Sequence, residues 1–145
     1  MRKPVLTIEG VLETCLYATD LVAAEHFYGE LLALPVFARE PARHVFFRCG
    51  AGMLLVFNAV RTSTAAGEVE GVSIPRHGAQ GAGHVCFRVL EAELAAWRER
   101  FAIARIAIEA EVRWPRGGAS LYVRDPAGNS VEFAPESIWV PTTLD

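Results

Sequence analysis

Two carboxylates and one imidazole carry the chemical interest of this sequence. Glu13 opens a strand-like stretch, Glu13-Thr-Cys-Leu-Tyr17, and His84 opens a similar one, His84-Val-Cys-Phe-Arg88. Glu132 follows a tight turn in Asp125-Pro-Ala-Gly-Asn-Ser-Val-Glu132-Phe. If the three meet at one pocket, they neutralise a divalent ion and leave coordination positions open for water or substrate. An oxygen-rich set of this kind suits Mn, Mg, Ni, Fe or Zn, and ligand identity alone does not choose among them. Beside a set of two His and one carboxylate, it favours redox-neutral Lewis-acid work over iron and oxygen chemistry. Each residue also has a plainer reading. A carboxylate among apolar neighbours needs a cation, and Arg48, Arg88 or Arg124 could serve Glu13 instead of a metal. His84 taken alone could be a hydrogen-bonded core histidine.

The elements that must position these side chains recur along the chain. Val11 to Ala18 is rich in strand formers, and alternation puts residues 13, 15 and 17 on one face. Thr19 or Asp20 then caps a helix whose stripe is Ala24, Phe27, Tyr28 and Leu31, and Pro35 stops it. Short strands are expected over 36–39, 44–49 and 53–58. Residues 61–81 are rich in Gly, Ser, Thr and Ala without periodicity and predict an exposed connection. The pattern then restarts with a strand over 82–89, a helix striped by Leu90, Leu94, Trp97 and Phe101, and strands over 106–113, 120–124 and 130–134. Phe47-Arg48 precedes Gly50-Ala-Gly52 much as Val123-Arg124 precedes Pro126-Ala-Gly128. A restart in register is a stronger sign of duplication than any one element. The expectation is one α+β domain of two β-α-β-β-β modules, 11–60 and 82–135.

Composition narrows the partners. The chain has 145 residues and a formal net charge of -3, with no concentration of Lys and Arg to suit nucleic acid or an anionic membrane. A small molecule is the better expectation. Glu9, Gly10 and Glu13 interrupt any leader-like apolar run after the basic Met-Arg-Lys-Pro start, and no stretch has transmembrane length. Three cysteines without a CxxC spacing fit neither a disulfide framework nor a structural zinc site. A reducing cytoplasm fits best.

The segments LYATDLVAAEHFYGELLAL, GAGHVCFRV and GASLYVRDPAGNSVEF resemble the vicinal oxygen chelate superfamily, which includes glyoxalase I, bleomycin-resistance proteins, fosfomycin-resistance transferases and extradiol dioxygenases. The resemblance implies paired modules curved into an incomplete barrel around one divalent metal. By position it makes Glu13, His84 and Glu132 the ligands, with Glu13 where the family usually has His or Gln. It also implies a homodimer whose modules pair across subunits. Cys15 shares the Glu13 face and Cys86 the His84 face, although a buried cysteine is more often an apolar filler. The resemblance turns Ser120, Tyr122 and Arg124 into the cavity, with Arg48 as the first-module counterpart of Arg124. These residues could bind an anionic or carbonyl-bearing substrate. Trp114, followed by Pro115, Arg116 and two glycines, suits a loop at the pocket mouth. Aligning the halves puts Val56 opposite Glu132, so no fourth protein ligand is expected.

The function expected is a metal-dependent, glyoxalase-like enzyme, of lyase, isomerase or transferase type, acting on a small oxygen-chelating substrate. Glu132 or Glu13 would move the proton, and Glu132 is the preferred catalytic residue. A metal-free drug-binding protein of the bleomycin-resistance kind is the alternative, and an extradiol-type dioxygenase a weaker one.

Overall fold

Alternating strands and two striped helices fold here into two sheets of the same internal order. The computed structural model describes residues 5–140, so the basic Met1–Pro4 start lies outside the described residues. In the first half, β1 (Glu13–Tyr17), β2 (Val36–Glu40), β3 (His44–Cys49) and β4 (Gly52–Phe57) lie in the order β1-β4-β3-β2. After a short hairpin, β5 (Gly67–Val69) and β6 (Val72–Ile74), the second half supplies β7 (His84–Arg88), β8 (Ala110–Arg113), β9 (Ala119–Arg124) and β10 (Ser130–Ala134). Their order is β7-β10-β9-β8. In both sheets the first and last strands are parallel and the other pairings antiparallel. The barrel is not closed.

Period-two alternation sends Leu16, Val45, Phe47, Leu54 and Val56 of the first sheet, and Leu121, Val123, Val131 and Phe133 of the second, into one core. The helices cover that side. α1 (Leu21–Glu25) starts at Asp20, whose Oδ1 accepts the Ala23 N–H at 2.9 Å, and continues as a π turn over His26–Leu31. It buries Ala24, Phe27 and Tyr28. α3 (Leu94–Ile103) buries Leu94 and Phe101, and its Trp97 stacks on Phe133 with ring centroids 5.0 Å apart.

The connection is more structured than its composition predicts. Asn58 caps α2 (Ala59–Thr64) by accepting the Val60 N–H. The two residues between β5 and β6, Glu70 and Gly71, both have positive φ, at 50° and 80°. That is the pairing a tight two-residue hairpin turn requires. Glu at the first of these positions hid the turn from pattern reading. β8 is also shorter than expected and begins at Ala110 rather than at 106.

The halves meet along β1 and β7, which lie side by side without a shared ladder. Asn129 fastens one end of this seam, donating from Nδ2 to the Tyr17 carbonyl at 3.1 Å and accepting the Gly83 N–H at 2.7 Å. A Cβ on Gly83 would lie 3.1 Å from Leu16 Cδ2, so the approach there is close. At the other end, Val11–Thr14 and Val85–Arg88 line one cleft of about 490 Å³. The two strands therefore run in opposite directions.

Beneath the seam lies a buried polar knot. Asp125 Oδ2 accepts the Tyr28 hydroxyl at 2.7 Å and Asn129 Nδ2 at 2.9 Å, while Oδ1 accepts the N–H groups of Ala127 and Asn129. Tyr28, Asn129 and Asp125 are 0%, 2% and 5% exposed. The turn of the second half is thus tied to the helix of the first.

Candidate functional site

The faces turned away from the core hold the site residues in ladder rows. In the second sheet one row reads His84, Ser130, Arg124, and the next Cys86, Glu132, Tyr122. Glu132 is 6% exposed although it points away from the core, because its neighbours cover it. Its Oε1 accepts the Ser120 hydroxyl at 2.6 Å, and Ser120 Oγ accepts the Trp114 indole N–H at 2.7 Å. Its Oε2 lies 3.3 Å from His84 Nε2. The His84 ring is roughly parallel to that of Tyr122.

The state of His84 follows from its other nitrogen. Nδ1 lies 3.0 Å from the Ser130 carbonyl oxygen, which can only accept, so Nδ1 carries a proton. In the neutral ring Nε2 then presents a lone pair toward a carboxylate oxygen. Two lone pairs that converge need a cation or a proton between them. Two ligands each about 2.0–2.1 Å from one ion at a tetrahedral angle lie about 3.3–3.4 Å apart, so this pair fits a divalent metal. A ring held through Nδ1–H by a carbonyl is the usual support of a metal-binding histidine.

Glu13 stands elsewhere. It heads β1 in the row Glu13, Met53, Arg48, at the seam end that meets Arg88, whereas His84 stands at the end that meets Tyr17. Among the described residues no three His, Cys, Asp or Glu side chains of one chain are grouped as metal ligands. Nor is Glu13 in any ion pair found among them. One chain therefore joins His84, Glu132 and Ser120, with Cys86 and Tyr122 beside them, and leaves Glu13 apart.

The remaining expected residues divide in the same way. Arg124 Nε and Nη2 donate to Glu109 at 2.5 and 2.9 Å, and Nη1 donates to the Gly128 carbonyl. Its acid partner is Glu109 rather than Asp125. Arg48 lies over the Phe37 ring, 4.5 Å from the centroid. Cys15 is exposed on the Glu13 face, in the row with Leu55 and Phe46. The ladder corrects one alignment: Cys15 pairs with Leu55 as Cys86 pairs with Glu132, so Leu55, not Val56, takes the Glu132 place. Where the second half is polar the first is aromatic. His44 stacks on Phe46 at 4.0 Å, Phe57 meets His44, Phe46 and His77 edge-on, and the Tyr17 hydroxyl pairs with His77 Nδ1 at 2.7 Å. His77 reaches this wall from the connection, where spacing gave no sign of it.

These contacts set the protonation of several groups. Burial first, then the neighbouring Glu132, pushes the Cys86 thiol up to about 12. Burial likewise raises Tyr122 and Tyr17 to about 12, with help from Glu132 and Cys15 respectively. Burial and then Asp125 push Tyr28 further in the same direction. In the unfolded chain such thiols and phenols ionise near about 8.5 and 10, so the unfolded state loses protons first and stability falls as pH rises. The unfolding free energy from urea titrations is expected to fall between about pH 9 and 11, by at most about 1.4 kcal/mol per pH unit for each group, and the midpoint with it. Solvent screening makes the contributions of the exposed Cys86 and the half-buried Tyr17 and Tyr122 smaller than that of the fully buried Tyr28. A midpoint unchanged at about pH 11 would show that these groups ionise without unfolding.

Comparison with known proteins agrees with this architecture. The sequence model of the Glyoxalase/Bleomycin resistance protein/Dioxygenase superfamily matches residues 10–133. The chain belongs to this superfamily. Among solved structures, a lactoylglutathione lyase from Agrobacterium tumefaciens shares 43% identity at a TM-score of 0.86, over 94% of this chain and 100% of that one. A glyoxalase/bleomycin resistance protein/dioxygenase from Nocardioides shares 20% identity at 0.66, over 90% and 85%. A fosfomycin resistance protein from Mesorhizobium loti shares 17% at 0.62, over 89% and 93%. The last two likenesses speak to the fold alone. No curated protein matches the chain. His84 and Glu132, on the first and last strands of the second half, are in contact, and no helix among the described residues is long and apolar enough to cross a membrane.

Proposed function

We propose that this protein is a metal-dependent enzyme of glyoxalase type that moves a proton on a small substrate bearing neighbouring oxygens. The observation that carries the reading is the convergence of His84 Nε2 and Glu132 Oε2 at 3.3 Å while His84 Nδ1 is committed to a backbone carbonyl. A divalent ion held there supplies a Lewis acid that polarises substrate oxygen. His84 and Glu132 would hold it, and Glu132, with one oxygen already fixed by Ser120, is the carboxylate placed to take and return the proton. Tyr122, a neutral phenol across the working pH range, offers a hydrogen bond to substrate oxygen. Arg48 brings positive charge for an anionic group, Arg124 would do so on exchanging Glu109 for substrate, and Cys15 and Cys86 line the same faces.

Glu13 is the third ligand in this reading. It lies apart from the pair within one chain, so a second copy must bring it. The working form is then a homodimer in the cytoplasm, where the three free thiols would stay reduced. Sedimentation at micromolar concentration should give a dimer; a monomer that nevertheless turns over substrate would remove Glu13 from the ligand set.

Purified protein should carry close to one divalent ion per chain, lost on chelation together with activity. Lactoylglutathione, named by the Agrobacterium relative, is the first substrate to assay. The metal-free binding reading has one observation in its favour: a proton on His84 Nε2 would also satisfy Glu132. Ligand binding that is unchanged in chelator, with no metal taken up, would establish that reading instead.

A further inference from the structure

We infer that Trp114 and Ser120 are positioning residues, a relay that fixes the Glu132 carboxylate and ties it to the loop between β8 and β9. The inference rests on the proposed role of Glu132. An indole N–H can only donate, so Trp114 occupies the acceptor side of Ser120 Oγ. The one hydroxyl proton of Ser120 is then directed at Glu132 Oε1, and the polarity of the whole chain is set. Ser120 is 0% exposed, so water does not compete for that proton. A charge-assisted bond of 2.6 Å in such a place holds the carboxylate plane, and that plane decides whether Oε2 faces His84.

The outer end of the relay is built differently. Trp114 is 37% exposed and begins a short loop in which its N–H donates to the Gly118 carbonyl and the Gly117 N–H donates back to its own. Gly117 and Gly118 have φ of 111° and 81°, which L side chains rarely adopt. A Cβ on Gly118 would come within 2.9 Å of Ile138 and Ser137 side chains. These glycines let the loop turn tightly against Ser137 and Ile138, and in this arrangement the indole reaches Ser120. Any movement that withdraws Trp114 frees the Ser120 oxygen and loosens Glu132.

The test has a metal-free arm and a metal arm. In the first, the Trp114 indole N–H resonance of isotope-labelled protein in chelator should move in both S120A and E132A, while that of the exposed Trp139 stays in place. In the second, calorimetry with Ni²⁺ should show W114F weakening affinity several-fold and S120A about 10- to 100-fold. The double variant should be no weaker than S120A, because the indole acts only through the hydroxyl. Equal turnover losses in variants that bind Ni²⁺ normally would indicate a merely structural effect and overturn the relay. So would a Trp114 resonance indifferent to E132A, or losses that multiply in the double variant. Wild-type protein that takes up no Ni²⁺ while Trp114 still senses E132A would reject the metal reading and keep the relay. W114F and the E132A spectrum leave Ser120 intact, so a misfolded S120A does not remove either readout.

Discussion

Asp125→Ala is expected to destabilise the protein by about 3–5 kcal/mol, more than any other single substitution in the buried knot. The change removes the acceptor of four donors at once: the buried Tyr28 hydroxyl and Asn129 backbone N–H, one N–H of Asn129 Nδ2, whose other N–H stays on the Tyr17 carbonyl, and the backbone N–H of the more exposed Ala127. Each buried donor left without a partner costs about 1–3 kcal/mol, and local relaxation recovers part of the sum. Asp125→Asn keeps the shape and one acceptor oxygen and should cost about half as much. Because Tyr28 belongs to the first half and Asn129 fastens the seam, the loss should appear as one cooperative shift of the urea midpoint. Tyr28→Phe removes a single bond and should cost about 1–2 kcal/mol. An Asp125→Ala midpoint close to wild type would mean that the knot is not what joins the halves.

Glu132→Gln should lower divalent affinity by at least about 100-fold and turnover by about 10³-fold or more, while the fold persists. Gln preserves volume and can still accept from Ser120, but it offers neither the charge that neutralises a cation nor a base for the proton. His84→Ala should match it in metal affinity, since each removes half of the pair. Atomic absorption on dialysed protein and Ni²⁺ calorimetry measure the first effect, and single-turnover kinetics the second. Metal content equal to wild type in the Gln variant would take Glu132 out of the ligand set. An unchanged rate would take it out of catalysis.

Much of this arrangement was legible in the residues. The alternation of Glu13 to Tyr17 and of His84 to Arg88, and the stripes through Tyr28 and Trp97, set both strand faces and both helix faces, because burial against one core leaves little choice. The Asp125-Pro-Ala-Gly turn also announced the strand bearing Glu132. What spacing could not give was the relative placement of the halves. Period-two alternation fixes which way Glu13 and His84 point, but it carries nothing about their distance along a seam with no ladder. The same limit hid the partners of the arginines, since spacing does not tell which acid comes beside Arg124, and it is Glu109, just ahead of β8. The relay was hidden for a related reason: Ser120 shares the strand face of Tyr122, but spacing does not show that its only proton is spent on Glu132. Asn129 gave a faint signal as the residue after a turn glycine, and its reach of 112 positions back to Tyr17 is set by tertiary packing alone.

The missing ladder between β1 and β7 has a mechanical consequence. Sheets joined by backbone hydrogen bonds hold a fixed pitch, whereas these two are pinned at the Asn129 end and rest on side chains at the other. The spacing of this junction is therefore set by Asn129 and by side-chain packing over the common core, not by a backbone ladder. The width of the groove at the Glu13 end accordingly depends on no strand pairing between the sheets, whereas the His84 and Glu132 pair is carried wholly by the second sheet.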